Sequence, residues 1–349
     1  MTDPAQRRPR LLFVPVSGAY GMGEYARSLA IARAAKDRWP GALVHFLLSA
    51  QAPYAASTPF EHTLLPASPT FHSPEVIETL RAFRPDIVIF DNAGRTAQLR
   101  AAHRLGAAVI YISSRRRQRA KGFRWRWMGL LDEHWIAYPE FIAGSLRPLE
   151  KLKLALRGRP RLRYLDVILS PGTAGAPRRD DFVLVVPGGG TGHPGAADAV
   201  AHFYAAAARL AADGARTVFV GPTPAAAVGS AAVANLQVFE SLPQAELASL
   251  LRTAQLVVVN GGSTLLQAIA CGRACVAIPI ANDQRERIRR CLAAGVTIAA
   301  PLDGAAIAKA AMALMHDPAA RTALAQRAAG LQLADGIEVA LRGIAASMR

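Results

Sequence analysis

The chain has 349 residues, 52% of them hydrophobic, and carries 41 Lys and Arg against 25 Asp and Glu, a formal net charge of +16. So apolar a chain is not disordered, and its length suits two domains, each with its own core. Three cysteines (Cys271, Cys275, Cys291), with no histidine at zinc-finger spacing, form neither a disulfide framework nor a zinc module and suit a reducing cytoplasm.

The start, MTDPAQRRPR, is polar, and the apolar run that follows at 11–16 is one strand long. Neither a signal peptide nor a transmembrane helix is therefore expected, and the protein should be soluble or peripheral. Short β-branched runs at 11–16, 42–49, 62–66, 86–91, 107–113 and 134–139 predict strands. Helical patterns at 24–38, 74–83 and 96–105 fall between them. Apolar strands alternating with helices indicate a parallel sheet covered on both faces. A segment rich in Pro, Gly and charge, SPGTAGAPRRDD, reads as a linker over 171–181. The plan then repeats, with strands at 181–187, 217–221, 236–240, 256–260, 275–280 and 297–301. The expected fold is α/β, with two Rossmann-like parallel-sheet domains, 1–170 and 182–330, facing each other across a cleft. The final 331–349 should form a helix that packs back on the first domain.

The charge is lopsided. Residues 1–170 hold 26 basic and 13 acidic side chains, whereas 171–349 hold 15 and 12. Two stretches dominate, SSRRRQRAKGFRWRW (113–127) and RPLEKLKLALRGRPRLR (147–163). In the first, Arg115, Arg116, Arg117, Arg119, Lys121, Arg124 and Arg126 are interleaved with Trp125 and Trp127, which suits an anionic membrane surface or polyanionic glycan. No helix-turn-helix, zinc-finger or RNP pattern supports nucleic acid.

Each predicted domain opens with a strand, a Gly-rich loop and a helix. The first loop carries Gly18, Gly21 and Gly23, and the second Gly188, Gly189, Gly190 and Gly192 with His193 beyond them. Such loops bring backbone N–H groups close to phosphate. Neither is a P-loop or a clean dinucleotide fingerprint, so NAD is disfavoured. The most specific segment is VVVNGGSTLLQAIACGRACVAIPIANDQ (257–284). Its glycines, Gly261 and Gly262, allow a phosphate to approach, with the Ser263 and Thr264 hydroxyls alongside. Gln267 can reach a ribose diol, and Asp283 and Gln284 can meet sugar hydroxyls.

This arrangement resembles the GT-B superfamily of nucleotide-sugar enzymes. It is most similar to the branch of the bacterial peptidoglycan N-acetylglucosaminyltransferase and the UDP-sugar hydrolase of pseudaminic acid synthesis. That branch carries a GxGHxxR loop, a GGST-x-x-E helix and a DNQ-type turn. Here they stand as Gly21-Met22-Gly23-Glu24-Tyr25-Ala26-Arg27, Gly261 to Gln267, and Asn282-Asp283-Gln284. The resemblance implies that the second domain binds a nucleotide-diphosphate sugar as substrate. The base would lie near Phe239 and Leu242, the ribose at Gln267, the diphosphate at Gly189, Gly190, Ser263 and Thr264, and the sugar at Asp283 and Gln284. Two positions depart from the pattern: the ribose-binding Glu is Gln267, and the loop His is Glu24.

The expected activity is inverting glycosyl transfer to a membrane-associated or anionic acceptor, needing no metal or cofactor. A general base is then required, and Glu24, which begins the first predicted helix, and Asp91, which ends a predicted strand, are the candidates. A nucleotide-sugar hydrolase and a non-catalytic nucleotide-sugar-binding subunit are the alternatives. The expected location is the cytoplasm, with possible attachment to the inner membrane.

Overall fold

A computed structural model describes residues 8–19, 21–169, 181–188, 196–227 and 233–348. The chain divides into two compact units, Met1–Ile168 with Ala334–Arg349, and Leu169–Leu333.

Unit 1 begins with β1 (Arg10–Pro15), α1 (Gly23–Arg38), β2 (Leu43–Ser49), β3 (Glu61–Leu65), α2 (Ser73–Phe83), β4 (Ile87–Asp91) and α3 (Thr96–Arg104). It continues with β5 (Ala108–Ser113), α4 (Arg116–Gly122), α5 (Trp125–Met128), β6 (Glu133–Ile136), α6 (Glu140–Ala143), α7 (Pro148–Arg157) and β7 (Arg161–Tyr164). The seven strands are parallel, in the order β3-β2-β1-β4-β5-β6-β7. Alternate residues of each strand enter opposite faces, which is why the strands read as continuous apolar runs. Leu11, Phe13, Ile87 and Ile89 pack toward α1, whereas Leu12, Val14, Val88 and Phe90 form the other core with Val76, Leu80 and Leu99 of α2 and α3.

Unit 2 contains β8 (Val183–Val186), α8 (Ala196–Ala212), β9 (Thr217–Val220), β10 (Leu236–Phe239), α9 (Gln244–Thr253), β11 (Leu256–Asn260) and α10 (Ser263–Ala270). After them come β12 (Ala274–Ile278), α11 (Asn282–Ala293), β13 (Ile298–Ala299), α12 (Gly304–Met315) and α13 (Pro318–Gly330). Its parallel strands run β10-β9-β8-β11-β12-β13.

The last helix, α14 (Gly336–Ser347), belongs to unit 1. Asp335 caps it through the Ile337 and Glu338 N–H groups, and Ile337, Ala340 and Ile344 enter the α1-side core. The close approach explains Gly343: a Cβ there would come within 2.5 Å of the Trp135 ring.

Two elements differ from expectation. The basic stretch 147–163 ends in β7, because Arg163 is drawn to the buried Glu133 of β6 and the strand follows that pairing. The strand expected over 297–301 shortens to two residues, with Thr297 turning its hydroxyl onto the Cys275 carbonyl.

Both sheets reverse direction at one place, between β1 and β4 in unit 1 and between β8 and β11 in unit 2. At such a switch point the two neighbouring strand-to-helix connections leave on opposite faces, opening a crevice beyond the carboxyl ends of the strands. Each Gly-rich segment singled out in the sequence begins at one of these points.

Candidate functional site

At the unit 1 switch point, β4 lies between β1 and β5, with Asp91 level with Pro15 and Ile112. Phe90 faces α2 and α3, so the period-two alternation turns Asp91 toward α1. There it meets Arg27, one helical turn into α1, which donates from Nε to Oδ2 at 2.8 Å and from Nη2 to Oδ1 at 2.6 Å. Asp91 is fully buried. Burial pushes its carboxyl up to about 6 against the opposing pull of Arg27, so it is ionised at neutral pH. With both oxygens committed beneath the surface, Asp91 is a structural anchor for α1, which corrects its reading as a general base.

Glu24 stands above this pair, half-buried in the first turn of α1. Its Oε1 accepts a 2.7 Å hydrogen bond from Asn92 Nδ2. Asn92 also donates to Ser114 Oγ and accepts from the Ser114 N–H at 2.9 Å. It occupies the left-handed region at φ 53°, which Asn tolerates better than most residues, so its amide is held across the ends of β4 and β5. The result is a carboxylate oriented by a neutral amide. Asn92 and Ser114 were missed in the sequence; the signal available was a pair of polar residues directly after two apolar strands.

At the unit 2 switch point the construction is different. β11 ends in Asn260, whose Oδ1 accepts from the Gly262 N–H at 2.8 Å. A Cβ on Gly188 (φ 87°) would come within 2.5 Å of the Asn260 amide, and one on Gly261 within 2.8 Å of Gln284 and Ile288. These glycines are therefore required by packing as well as by any phosphate that approaches. Gln284 is buried, and its Oε1 accepts from the Gly261 N–H at 3.2 Å and the Ile280 N–H at 3.1 Å. Through Oε1 it ties the β11 and β12 turns together. Arg287, also buried, donates to the Gly261 carbonyl and lies 3.7 Å from Asp283.

With the turn so braced, α10 starts at an exposed Ser263 with no side-chain cap. The first N–H groups of a helix lack intrahelical partners, a geometry suited to an anion. Thr264 and Gln267 are half-buried on this helix. Phe239 and Leu242 are half-buried at the end of β10, three strand spacings from β11 and thus about 14 Å away. A cavity of about 370 Å³ opens beyond β12, lined by Pro279, Ile280, Ala281, Asn282, Arg285, Pro301 and Leu302. Gly189, Gly190 and His193 lie outside the described residues, as do residues 170–180 of the expected linker.

The basic segment divides sharply. Arg119 is buried and donates to the Ala143, Gly144 and Ser145 carbonyls and to Glu150 at 2.7 Å. Trp127 is buried edge-on to Tyr111, with its N–H on Thr96 Oγ1 at 3.0 Å. Both are core residues, which corrects their reading as acceptor or membrane contacts. Arg115, Arg116, Arg117, Arg124, Trp125 and Arg126 are exposed, and Lys121 is half-buried. Partial burial and the neighbouring Arg95, Arg124 and Arg117 hold the Lys121 ammonium below its usual range, a sign of cations crowded without enough counter-charge. Cys275 and Cys291 are buried core thiols, each pushed up by burial.

No protein-family model matches this sequence, and no curated protein does. Solved structures do match its fold. The calicheamicin glycosyltransferase CalG4 aligns with a TM-score of 0.67 at 18% identity, covering 98% of each chain. The glycosyltransferase VinC, solved in complex with dTDP, aligns at 0.67 and 13%, covering 97% of this chain and 98% of that one. A putative UDP-N-acetylglucosamine 2-epimerase from Listeria monocytogenes aligns at 0.58 and 14%, covering 97% and 95%. Two Rossmann-like units in one chain, shared over nearly its whole length with these structures, are the GT-B fold.

Proposed function

We propose that the chain is an inverting glycosyltransferase that uses a nucleotide-diphosphate sugar and needs no metal. The observation that carries this reading is the braced Asn260-Gly261-Gly262-Ser263 turn, which presents an uncapped helix start at a Rossmann switch point. In this reading the diphosphate rests on the first-turn amides of α10 with Ser263 and Thr264, and Gln267 meets the ribose. The base lies at Phe239 and Leu242. Asn282, Asp283 and Arg285 then face the sugar. A pyrimidine nucleotide is favoured by the GGST and NDQ motifs and by the dTDP held by VinC.

Glu24 is the general base. It takes the proton from the acceptor hydroxyl as that oxygen bonds to the anomeric carbon. The bond from that carbon to the diphosphate oxygen breaks on the opposite side, inverting the configuration. The charge left on the diphosphate is met by helix-end amides. The acceptor is membrane-associated or anionic, matching the excess cations of unit 1, and the protein works in the cytoplasm.

A thermal-shift screen of nucleoside diphosphates and their sugars should show stabilisation by one nucleotide class, since a ligand of the native state raises its stability. Nucleoside diphosphate should then be released only when acceptor is present. Release with donor and water alone would instead identify a hydrolase. Saturable binding without turnover under any acceptor would identify a binding subunit.

A further inference from the structure

The helix α7 displays a surface that glycosyl transfer does not need. Leu149, Leu152 and Leu156 recur at helical spacing and are 61%, 54% and 68% exposed. Large aliphatic side chains in a row, each mostly in water, are unusual on a soluble domain. The charges around them have one sign. Arg147, Lys151 and Arg157 are exposed and Lys153 is half-buried, whereas the one acid of the helix, Glu150, is buried between Arg119 and Arg147.

The surface continues onto α5. Trp125 is 48% exposed, with the Arg157 guanidinium 4.5 Å from its ring centre, and Arg124 and Arg126 flank it. Lys153 donates to the Phe123 carbonyl at 3.1 Å, which fixes α7 against the segment that carries Trp125. Beside the first turn of α7, a cavity of about 390 Å³ is walled by Ala120, Phe123, Pro148 and Leu149, with Arg147 and Lys153 among its lining residues. An apolar stripe, a half-exposed Trp and a cationic surround are the features of a helix that lies in the interface plane of an anionic bilayer.

We infer that α7 and Trp125 form a membrane-docking face, which lays Leu149, Leu152 and Leu156 into the headgroup and acyl boundary of an anionic leaflet while Arg124, Arg126, Lys151 and Arg157 meet lipid phosphates. No helix among the described residues is long and apolar enough to cross a membrane, so attachment is peripheral. The inference rests on the proposed function only for the location of the acceptor, and its test uses neither donor nor turnover.

The full chain is mixed with vesicles of phosphatidylcholine and phosphatidylglycerol, or of phosphatidylcholine alone, and sedimented. Binding to the anionic vesicles is expected, weakening as salt rises. Trp39, Trp127 and Trp135 are buried, so a blue shift in emission on binding reports Trp125. The triple variant L149S/L152S/L156S, whose exposed sites leave the fold intact, should bind these vesicles about 10-fold or more weaker. R124Q/R126Q/K151Q should bind more weakly and lose most of the salt dependence. Equal binding to both vesicle types, an unshifted Trp emission, or wild-type binding by the leucine variant would overturn the inference. So would a dimer without vesicle affinity that the leucine variant dissolves, which would assign the face to a second copy. Nucleotide binding in the absence of vesicles tests the proposed function separately.

Discussion

The two switch points occupy equivalent places in equivalent sheets, yet they are built from opposite materials. In unit 1 the ends of β4 and α1 are joined by a buried ion pair, Arg27 with Asp91, and the Glu24 carboxyl group stands over it on Asn92. In unit 2 the corresponding turns are joined by neutral amides, Asn260 and Gln284, accepting from backbone N–H groups. A buried ion pair positions its helix rigidly but is sensitive to loss of either partner. A neutral amide brace costs less to bury and leaves the helix-end dipole free to act on an incoming anion. Under the proposed function, proton transfer falls to the edge that carries Glu24 and diphosphate binding to the amide-braced edge.

The largest effect should come from breaking the charged edge. R27M leaves Asp91 buried and unpaired, which should lower stability by about 3–5 kcal/mol. R27M/D91N should recover part of this, and urea unfolding of the four proteins of the cycle measures the coupling. Additive losses would deny the pair its anchoring role. Next, E24Q keeps the Asn92 contact but removes the charge, and turnover should fall about 100-fold, close to 2.7 kcal/mol, with donor affinity unchanged. Wild-type turnover in E24Q would place the base elsewhere.

A pH effect should report on unit 1. His134 of β6 is buried between Tyr111 and Phe123, with Nε2 2.8 Å from Ser113 Oγ. Burial, aided by Arg119, depresses its imidazole to about 3. Below the ordinary His range the unfolded chain gains a proton that the folded chain refuses, so stability falls with pH from about 6.5, by about 1.4 kcal/mol per unit. Asp91, raised to about 6, titrates in the opposite sense over an overlapping range. The measurement is therefore the difference between wild type and H134Q. At pH 5 the wild type should have lost about 2 kcal/mol more than the variant, relative to pH 7. Parallel profiles would mean that His134 is not held neutral. Smallest of all, Q284A removes the side-chain acceptor of the Ile280 N–H and leaves the Gly261 N–H with the Ile278 carbonyl alone. It should cost about 1–2 kcal/mol and weaken nucleotide binding along with it, measured by calorimetry. Undiminished nucleotide affinity in Q284A would separate the brace from the donor site.

Much of this molecule was legible in one dimension. Apolar runs of strand length alternating with helical patterns predicted both parallel sheets, because strands covered on two faces need no polar alternation. The glycines at 188 and 261–262 marked the unit 2 turns, where close packing excludes a Cβ, and Gly21 marked the unit 1 turn through its positive φ. The lopsided charge also located the cationic surface in what became unit 1.

Residue type and position along the chain did not reveal which polar side chains face inward. Asp91 at a strand end and Glu24 at a helix start read as equal candidates for the base, until strand alternation turned Asp91 beneath α1 and onto an arginine 64 residues away. Arg119 and Arg117 are neighbours in one cationic run, yet one is enclosed by three carbonyls and Glu150 while the other is in water. The leucines of α7 lie in a stretch the sequence marked only for its charge, and packing left them outside. Sequence determined the sheets and their turns through local periodicity and steric demand. Tertiary structure decided the fate of each charge and each exposed leucine, because burial depends on neighbours that are distant along the chain.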